Sequence, residues 1–378
     1  MSIFRRIFVL LLLVGGFWYF YGDDLKQSGM KGTSEAIQED INNIKNNPHI
    51  KNVVDQVERE FRLVIGQLQN TFEDTEQDEA VQPAPDKPEL ATPHQQSFSV
   101  HNVEIGDSRA KVEQKVGAPK RETLNEYGVE WETYHEDYHN FFMAAYNDQN
   151  KVVGLYTNQD LLTSKFGISF ASTRASVLET LGEPLKTIKK GMTHYQISGD
   201  GEYHTFLLNQ NYVTIFFDNH EQNQVTAIQI ISANLEQDKQ RFYAEPSKPL
   251  KLGFEYQLFD LTNAARVKHQ LPTLTWDERA RKTARDHSVD MAKNGYFSHK
   301  NLEGQSPFDR MREDDISFIT AGENIAAGQQ SSIFTHAGLM NSLGHRENIL
   351  NQRFERLTVG VAYDDESRPF YTENFLTR

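Results

Sequence analysis

The chain has 378 residues, 39 Lys plus Arg against 53 Asp plus Glu, a formal net charge of −14 and no cysteine. That length allows two folded domains with connecting segments, and a hydrophobic share of 38%, below the usual globular value, leaves part of the chain as solvated linker. The acidic balance argues against nucleic-acid binding and against broad adhesion to anionic polymers, and the lack of cysteine rules out disulfides, thiolate chemistry and an acylated-cysteine anchor.

Arg5 and Arg6 precede the apolar run IFVLLLLVGGFWYFYG, residues 7–22. At ~1.5 Å per residue, this run is a little short of a ~30 Å hydrocarbon layer. Phe17 to Tyr21 form an aromatic belt, with the arginines on the inner side. No small-x-small cleavage site precedes Asp23, so an uncleaved membrane anchor over residues 1–22 is expected, with a cleaved signal segment as the alternative. Both place the remainder outside the cytoplasm, on the cell membrane or secreted.

Residues 34–70 read as a helical stalk interrupted by Pro48. Ile50, Val54, Val57, Phe61, Val64 and Leu68 alternate steps of four and three, the spacing of a coiled-coil seam. The 50–68 seam suits homo-oligomerisation, or a helix lying on a neighbouring domain. Residues 71–97 are acidic and contain Pro83, Pro85, Pro88 and Pro93, which reads as an extended, solvated linker.

A repeat fills residues 98–235. Arg109, Val112, Gly117 and Pro119 match Arg174, Val177, Gly182 and Pro184 at one constant offset of 65. Each copy reads as a short helix closed by Gly and then Pro, followed by strand-like runs. The expectation is two helix-plus-sheet units packed together. Tyr134, His135, Tyr138 and His139 are read as hairpin surface. A second linker, 236–250, carries Pro246 and Pro249. This middle unit resembles the CAP-associated N-terminal module found before certain bacterial CAP domains. It also looks loosely like the tandem repeats of small outer-membrane assembly and inhibitor proteins. The resemblance implies binding of proteins or cell-wall components.

Residues 251–378 mix helix faces (Phe254, Leu258, Leu261 and Ala265; then Ala280, Ala284, His287, Ser288 and Met291) with two alternating strand patterns, LTVGVAYD and PFYTENF. Helices flanking a small antiparallel sheet make an α–β–α layered domain. The segments DHSVDMAKNGYFSH, SPFDRM, AGENIAAG, MNSLGHRENILN and VGVAYD, in that order, resemble the bacterial branch of the CAP superfamily of cysteine-rich secretory, antigen 5 and pathogenesis-related proteins. The fold class expected is therefore α+β: a C-terminal α–β–α sandwich of CAP type, preceded by a tandem-repeat α+β domain and an N-terminal membrane-anchor helix.

The resemblance also implies a cleft that gathers two histidines and acidic residues and is often able to hold a divalent metal. Carried over by motif, its members are His299 of YFSH, Glu323 of GENI and His345 of GHR. Two departures stand out. The position of a second cleft glutamate falls at Asn341-Ser342, and the tryptophan before it is Leu339. His287 lies on an apolar helix stripe, as a core histidine or as the cleft floor. The residues allow two readings. His299, Glu323 and His345 make a three-ligand set for zinc or another divalent cation, with room for an activated water. Equally, a histidine and Glu323 form a hydrogen-bonded pair with no ion at all. No cofactor is certain. Ser342 has no recognisable triad base. The functions expected are ligand or partner binding at the cell envelope through His299, Glu323, His345, Asn341, Ser342 and His287, a metal-dependent hydrolase of wall peptides or proteins, or a scaffold assembled through the seam.

Overall fold

The computed structural model describes residues 85–197, 199 and 201–378; the expected anchor, the stalk with its seam and most of the 71–97 linker lie outside them. The described part of that linker, from residue 85, has no regular structure but is laid down on the following domain. The Glu104 carboxylate accepts the backbone N–H groups of His94, Gln95 and Gln96 at 2.8, 2.8 and 2.6 Å, and Pro93 is buried.

Strand β1 (Phe98–Val100) leads to helix α1 (Arg109–Val116) and the strands β2 (Arg121–Leu124), β3 (Glu130–Glu136), β4 (His139–Tyr146), β5 (Val152–Thr157) and β6 (Leu162–Ser164). Helix α2 (Arg174–Leu181) is followed by β7 (Thr187–Lys190), β8 (Thr193–Gln196), β9 (Tyr203–Leu208), β10 (Asn211–Asp218) and β11 (Gln224–Ser232). The ends of α1 and α2 are built alike. Ser108 and Thr173 cap the first turns with their hydroxyls, and Gly117 and Gly182 end the helices at φ 80° and 78°. A seven-stranded antiparallel sheet runs β2-β3-β4-β5-β11-β10-β9, with Ile228 opposite Thr157 where the two meanders meet.

Side-chain alternation along these strands produces two packed faces. Phe142, Ala144, Val213 and Ile215 cluster with Val112 of α1 and Val177 of α2. Phe141, Met143, Ala145 and Phe216 point the other way, onto residues of the C-terminal domain.

That domain follows α3 (Ala233–Asp238). It contains α4 (Lys248–Lys268), β12 (Thr275–Trp276), α5 (Arg281–Asn294), α6 (Pro307–Glu313), β13 (Thr320–Ala327), α7 (Ser332–Asn341), α8 (Leu343–Ile349), β14 (Arg356–Tyr363) and β15 (Pro369–Thr377). The sheet order is β12-β14-β15-β13, with β12 parallel to β14 and the other pairs antiparallel. Val359, Val361, Tyr371 and Phe375 face α4, α7 and α8, while Ala362 and Phe370 face α5. The α–β–α layering is thus formed. Two glycines permit its tight crossings. A Cβ at Gly360 would lie 2.2 Å from Arg285 N, so the close crossing of α5 over β14 needs glycine there, and a Cβ at Gly253 would lie 2.0 Å from Leu124 O.

Helix α4 is a shared wall. Its Leu250, Phe254 and Leu258 enter the C-terminal core, while Leu261 and Ala264 cover the repeat sheet. Fully burying such a side chain contributes about 1.5–3 kcal/mol. Polar contacts fix the register across the junction: Arg121 Nε and Tyr138 Oη donate to the two oxygens of buried Asp260, at 2.9 and 2.8 Å. Tyr138, expected on a hairpin surface, therefore sits at this junction, and Tyr134 is buried in the repeat core. The residues from 85 on form one compact unit.

Candidate functional site

Strand β13 is the free edge of the C-terminal sheet, and alternation sends Glu323 and Ile325 toward α5 and α6. The Glu323 side chain is 2% exposed and its two oxygens are taken separately. Oε1 accepts from His299 Nδ1 at 2.9 Å, and Oε2 accepts from Arg310 Nη2 at 2.6 Å. Arg310 reaches it from α6, whose start is fixed by a reciprocal Ser306–Asp309 capping box. The same guanidinium donates through Nη1 to the carbonyls of His299 (2.7 Å) and Gln305 (3.2 Å). One side chain thus holds both the loop bearing His299 and the carboxylate that orients its ring.

A carboxylate accepts only, so His299 Nδ1 carries the proton in this contact, and Nε2 makes no hydrogen bond among the described contacts. The His299 side chain is 49% exposed. His287 lies beneath, with Nε2 donating to the Ser298 carbonyl at 3.0 Å and standing 4.0 Å from Glu323 Oε1. Its Nδ1 is buried without a partner. Burial, chiefly, lowers its pKa and keeps the ring neutral, against the pull of Glu323. His345 is half-buried on α8. Burial, chiefly, lowers its pKa, with a smaller contribution from His299. No hydrogen bond or ion pair joins His345 to Glu323 among the described contacts.

Asn341 and Ser342 are placed differently from the expectation. Asn341 turns to the repeat domain, where Nδ2 donates to Phe217 O (3.0 Å), Oδ1 accepts from Asn219 N (2.9 Å) and its carbonyl meets His220 Nε2 (2.9 Å). Ser342 is the junction residue, ending α7 and starting α8 without a side-chain cap bond. A short polar side chain at 341 binds the neighbouring domain's backbone, whereas a cleft residue would have to turn the other way.

Of the three expected ligands of a zinc or other divalent ion, Glu323 has both oxygens already engaged. A cation on Glu323 would have to displace His299 from Oε1 or sit against the Arg310 guanidinium at Oε2. Among the described residues, no three His, Asp or Glu side chains are grouped to hold an ion. No protein hydroxyl hydrogen-bonds to His299 among the described contacts.

Sequence reasoning missed the support behind the cleft. Asn324, on the opposite face of β13 from Glu323, donates to Glu373 Oε2 at 3.0 Å and to the His345 carbonyl at 3.2 Å. Asn348 donates to the Glu323 carbonyl and to Asn324 Oδ1. Complete burial lifts the Glu373 carboxyl to about 7. The network rests on the pairing of Asn324 with Glu373 across β13 and β15, which no local pattern in TAGENIAA announces.

Comparison with known proteins agrees with this architecture. Residues 105–242 match the CAP-associated N-terminal family, and residues 259–375 match the cysteine-rich secretory protein family, CAP. The chain is 30% identical over 294 residues to YlbC of Bacillus subtilis (strain 168), named an uncharacterized membrane protein, covering 72% of this chain and 82% of that one. It is 43% identical over 124 residues to YkwD of the same organism, across 33% of this chain and 47% of that one. An extracellular protein containing a SCP domain from Bacillus anthracis str. Ames superposes with a TM-score of 0.63 at 27% identity, covering 80% of this chain and 99% of that one. A cysteine-rich secretory protein from Staphylococcus aureus subsp. aureus Mu50 shares the fold, with a TM-score of 0.59 at 13% identity over 77% and 98% of the two chains. With its motifs in order, its α–β–α sandwich and its preceding sheet domain, the chain belongs to the CAP superfamily, with a CAP-associated N-terminal domain ahead of the CAP domain.

Proposed function

We propose that this is an extracytoplasmic ligand-binding protein of the cell envelope, held at the membrane by residues 7–22, whose CAP cleft presents His299 to a peptide-bearing ligand. The observation that carries this reading is the division of the Glu323 carboxylate between His299 Nδ1 and Arg310 Nη2. It leaves an oriented imidazole at a half-exposed position whose Nε2 makes no hydrogen bond among the described contacts, which suits recognition of a polar ligand group. Phe297 and Leu302, exposed at 54% and 63% on the same loop, add apolar surface for the ligand. The repeat domain holds the other side of the cleft through α8: Arg346, next to His345, donates to Asp218 Oδ2 at 2.8 Å and Glu221 Oε1 at 3.2 Å.

The test is binding of a muropeptide mixture to the full-length protein, by calorimetry, against His299→Asn. The variant should bind at least ten-fold more weakly with an unchanged unfolding midpoint. Equal binding by a folded variant overturns the reading. Release of product from the same mixture, abolished by a chelator, would overturn it in favour of a metal hydrolase.

A further inference from the structure

Residues 86–96, the end of the segment expected as slack linker, are fastened to the repeat domain mostly by their own main chain. Asn140 Nδ2 donates to Asp86 O at 3.1 Å. The Asn102 amide bonds twice, donating to Glu89 O at 2.8 Å and accepting from Ala91 N at 2.7 Å. Thr163 Oγ1 donates to Ala91 O and Lys165 Nζ to His94 O, each at 2.9 Å. Glu104 then gathers the successive N–H groups of His94, Gln95 and Gln96. The repeat domain thus holds this segment by its backbone, through side chains from β4, β6 and the turn after β1.

Little apolar surface goes with these bonds. Within residues 86–96 only Pro93 is buried, whereas β1, which follows at once, buries Phe98 and Val100 and pairs with β6. Hydrogen bonds at an exposed surface are exchanged for water at small net gain, and ordering an irregular segment costs conformational entropy. A segment held in this way opens before the core does. The contacts also lie in peeling order. A pull on the chain at residue 85 meets Asn140 and the Lys87–Asp160 pair first, then Asn102, and Glu104 last.

We infer that residues 86–96 are a releasable strap, clasped by Asn102 and Glu104, that gives the tether two lengths. Docked, the strap brings the chain out beside Asn140, close in sequence to Tyr138 at the α4 junction. Released, residues 86–96 add at most about 40 Å of extended chain ahead of β1, at ~3.6 Å per residue. The strap stands on these contacts alone, while its effect on the reach of the CAP domain rests on the membrane attachment proposed above.

The lack of cysteine allows spin labels to be placed on the full-length protein at Glu89→Cys on the strap and Asp148→Cys on the β4–β5 turn, both exposed positions. Pulsed dipolar spectroscopy should give one narrow distance population in the native background, and Glu104→Ala should spread it over about 10 Å or more. Amide exchange should show residues 94–96 protected at least ten-fold over free chain in the native background and unprotected in Glu104→Ala, with β1 protected at least a hundred-fold in both. If Glu104→Ala does not fold, Asn102→Gly, which keeps the left-handed backbone at φ 57°, decides by the same distances and by the amide of Ala91. A broad distribution or unprotected 94–96 amides in the native background overturns the strap. A narrow distribution that survives Glu104→Ala overturns the clasp, and loss of β1 protection together with the strap overturns its independence. None of these measurements uses a membrane, so they are decided apart from the attachment: residues 7–22 found cleaved from the mature protein would remove the effect on reach and leave the strap intact.

Discussion

Replacing Arg310 by alanine removes three things at once. Glu323 loses the donor on Oε2, the His299 carbonyl loses its 2.7 Å partner, and the Gln305 carbonyl loses its 3.2 Å partner. Both members of the ion pair are largely buried, with side chains 9% and 2% exposed. Removing one partner of a buried pair costs about 3–5 kcal/mol, because the other charge is left uncompensated. His299 remains on Oε1 and offsets part of this, so the lower end, about 3 kcal/mol, is expected. For a chain of this size each kcal/mol moves the unfolding midpoint by about 2–4 °C, giving a fall of roughly 6–12 °C. The decisive measurement is a double-mutant cycle with Glu323→Gln, read by chemical denaturation. Arg310→Ala should cost much less in the Glu323→Gln background, with a coupling of about 2 kcal/mol, since the unpaired charge is then gone. Additive losses, or a single-variant cost within about 0.5 kcal/mol of zero, would refute the claim that Arg310 neutralises Glu323.

Glu373, raised to about 7 by burial, should make the fold pH-sensitive. Its folded pKa lies above the unfolded carboxyl value, so the folded state binds the extra proton, and the stability it contributes is present below about pH 4 and lost as pH rises through 7. Glu373→Gln should therefore stabilise the protein at pH 8 relative to pH 5, by on the order of 2–3 kcal/mol, in paired thermal melts. Arg346→Ala should cost about 3 kcal/mol by breaking its pair with Asp218, whose side chains are 10% and 5% exposed, and should raise amide exchange selectively over residues 341–349. Gly360→Ala drives a methyl to 2.3 Å from Ala284 C, so the loss should exceed about 4 kcal/mol and show as failed soluble expression or lost near-UV dichroism.

The parts of this fold written in short-range patterns were readable in the chain. The Gly-Pro ends of α1 and α2, the period-two runs of β14 and β15, and the apolar stripes of α4 and α5 all follow from local geometry. Strand β13 was not readable as a strand. Its sequence TAGENIAA is rich in Gly and Ala, which have low strand preference, and it is extended because β15 pairs with it along its whole length. Arg310 was invisible for a related reason. Its importance comes from meeting Glu323 across 13 residues of loop and helix, a contact that no spacing rule contains. Asn341 was assigned to the cleft by motif position, but its amide is claimed by the backbone of another domain, and motif position does not encode which way a side chain turns at a helix end.

That last displacement bears on how the two domains act together. The β10–β11 turn holds Asn341 on one side of Ser342, and Asp218 and Glu221 hold Arg346 on the other. Between these fixed points lie only Ser342, Leu343, Gly344 and His345. The His345 carbonyl is in turn tied to Asn324, beside Glu323 on β13. A shift of the repeat-domain turn would therefore move His345 and the edge of the cleft sheet through bonded neighbours, with no long-range pathway needed. Because α4 belongs to both hydrophobic cores, the repeat sheet cannot slide as a rigid body without opening one of them.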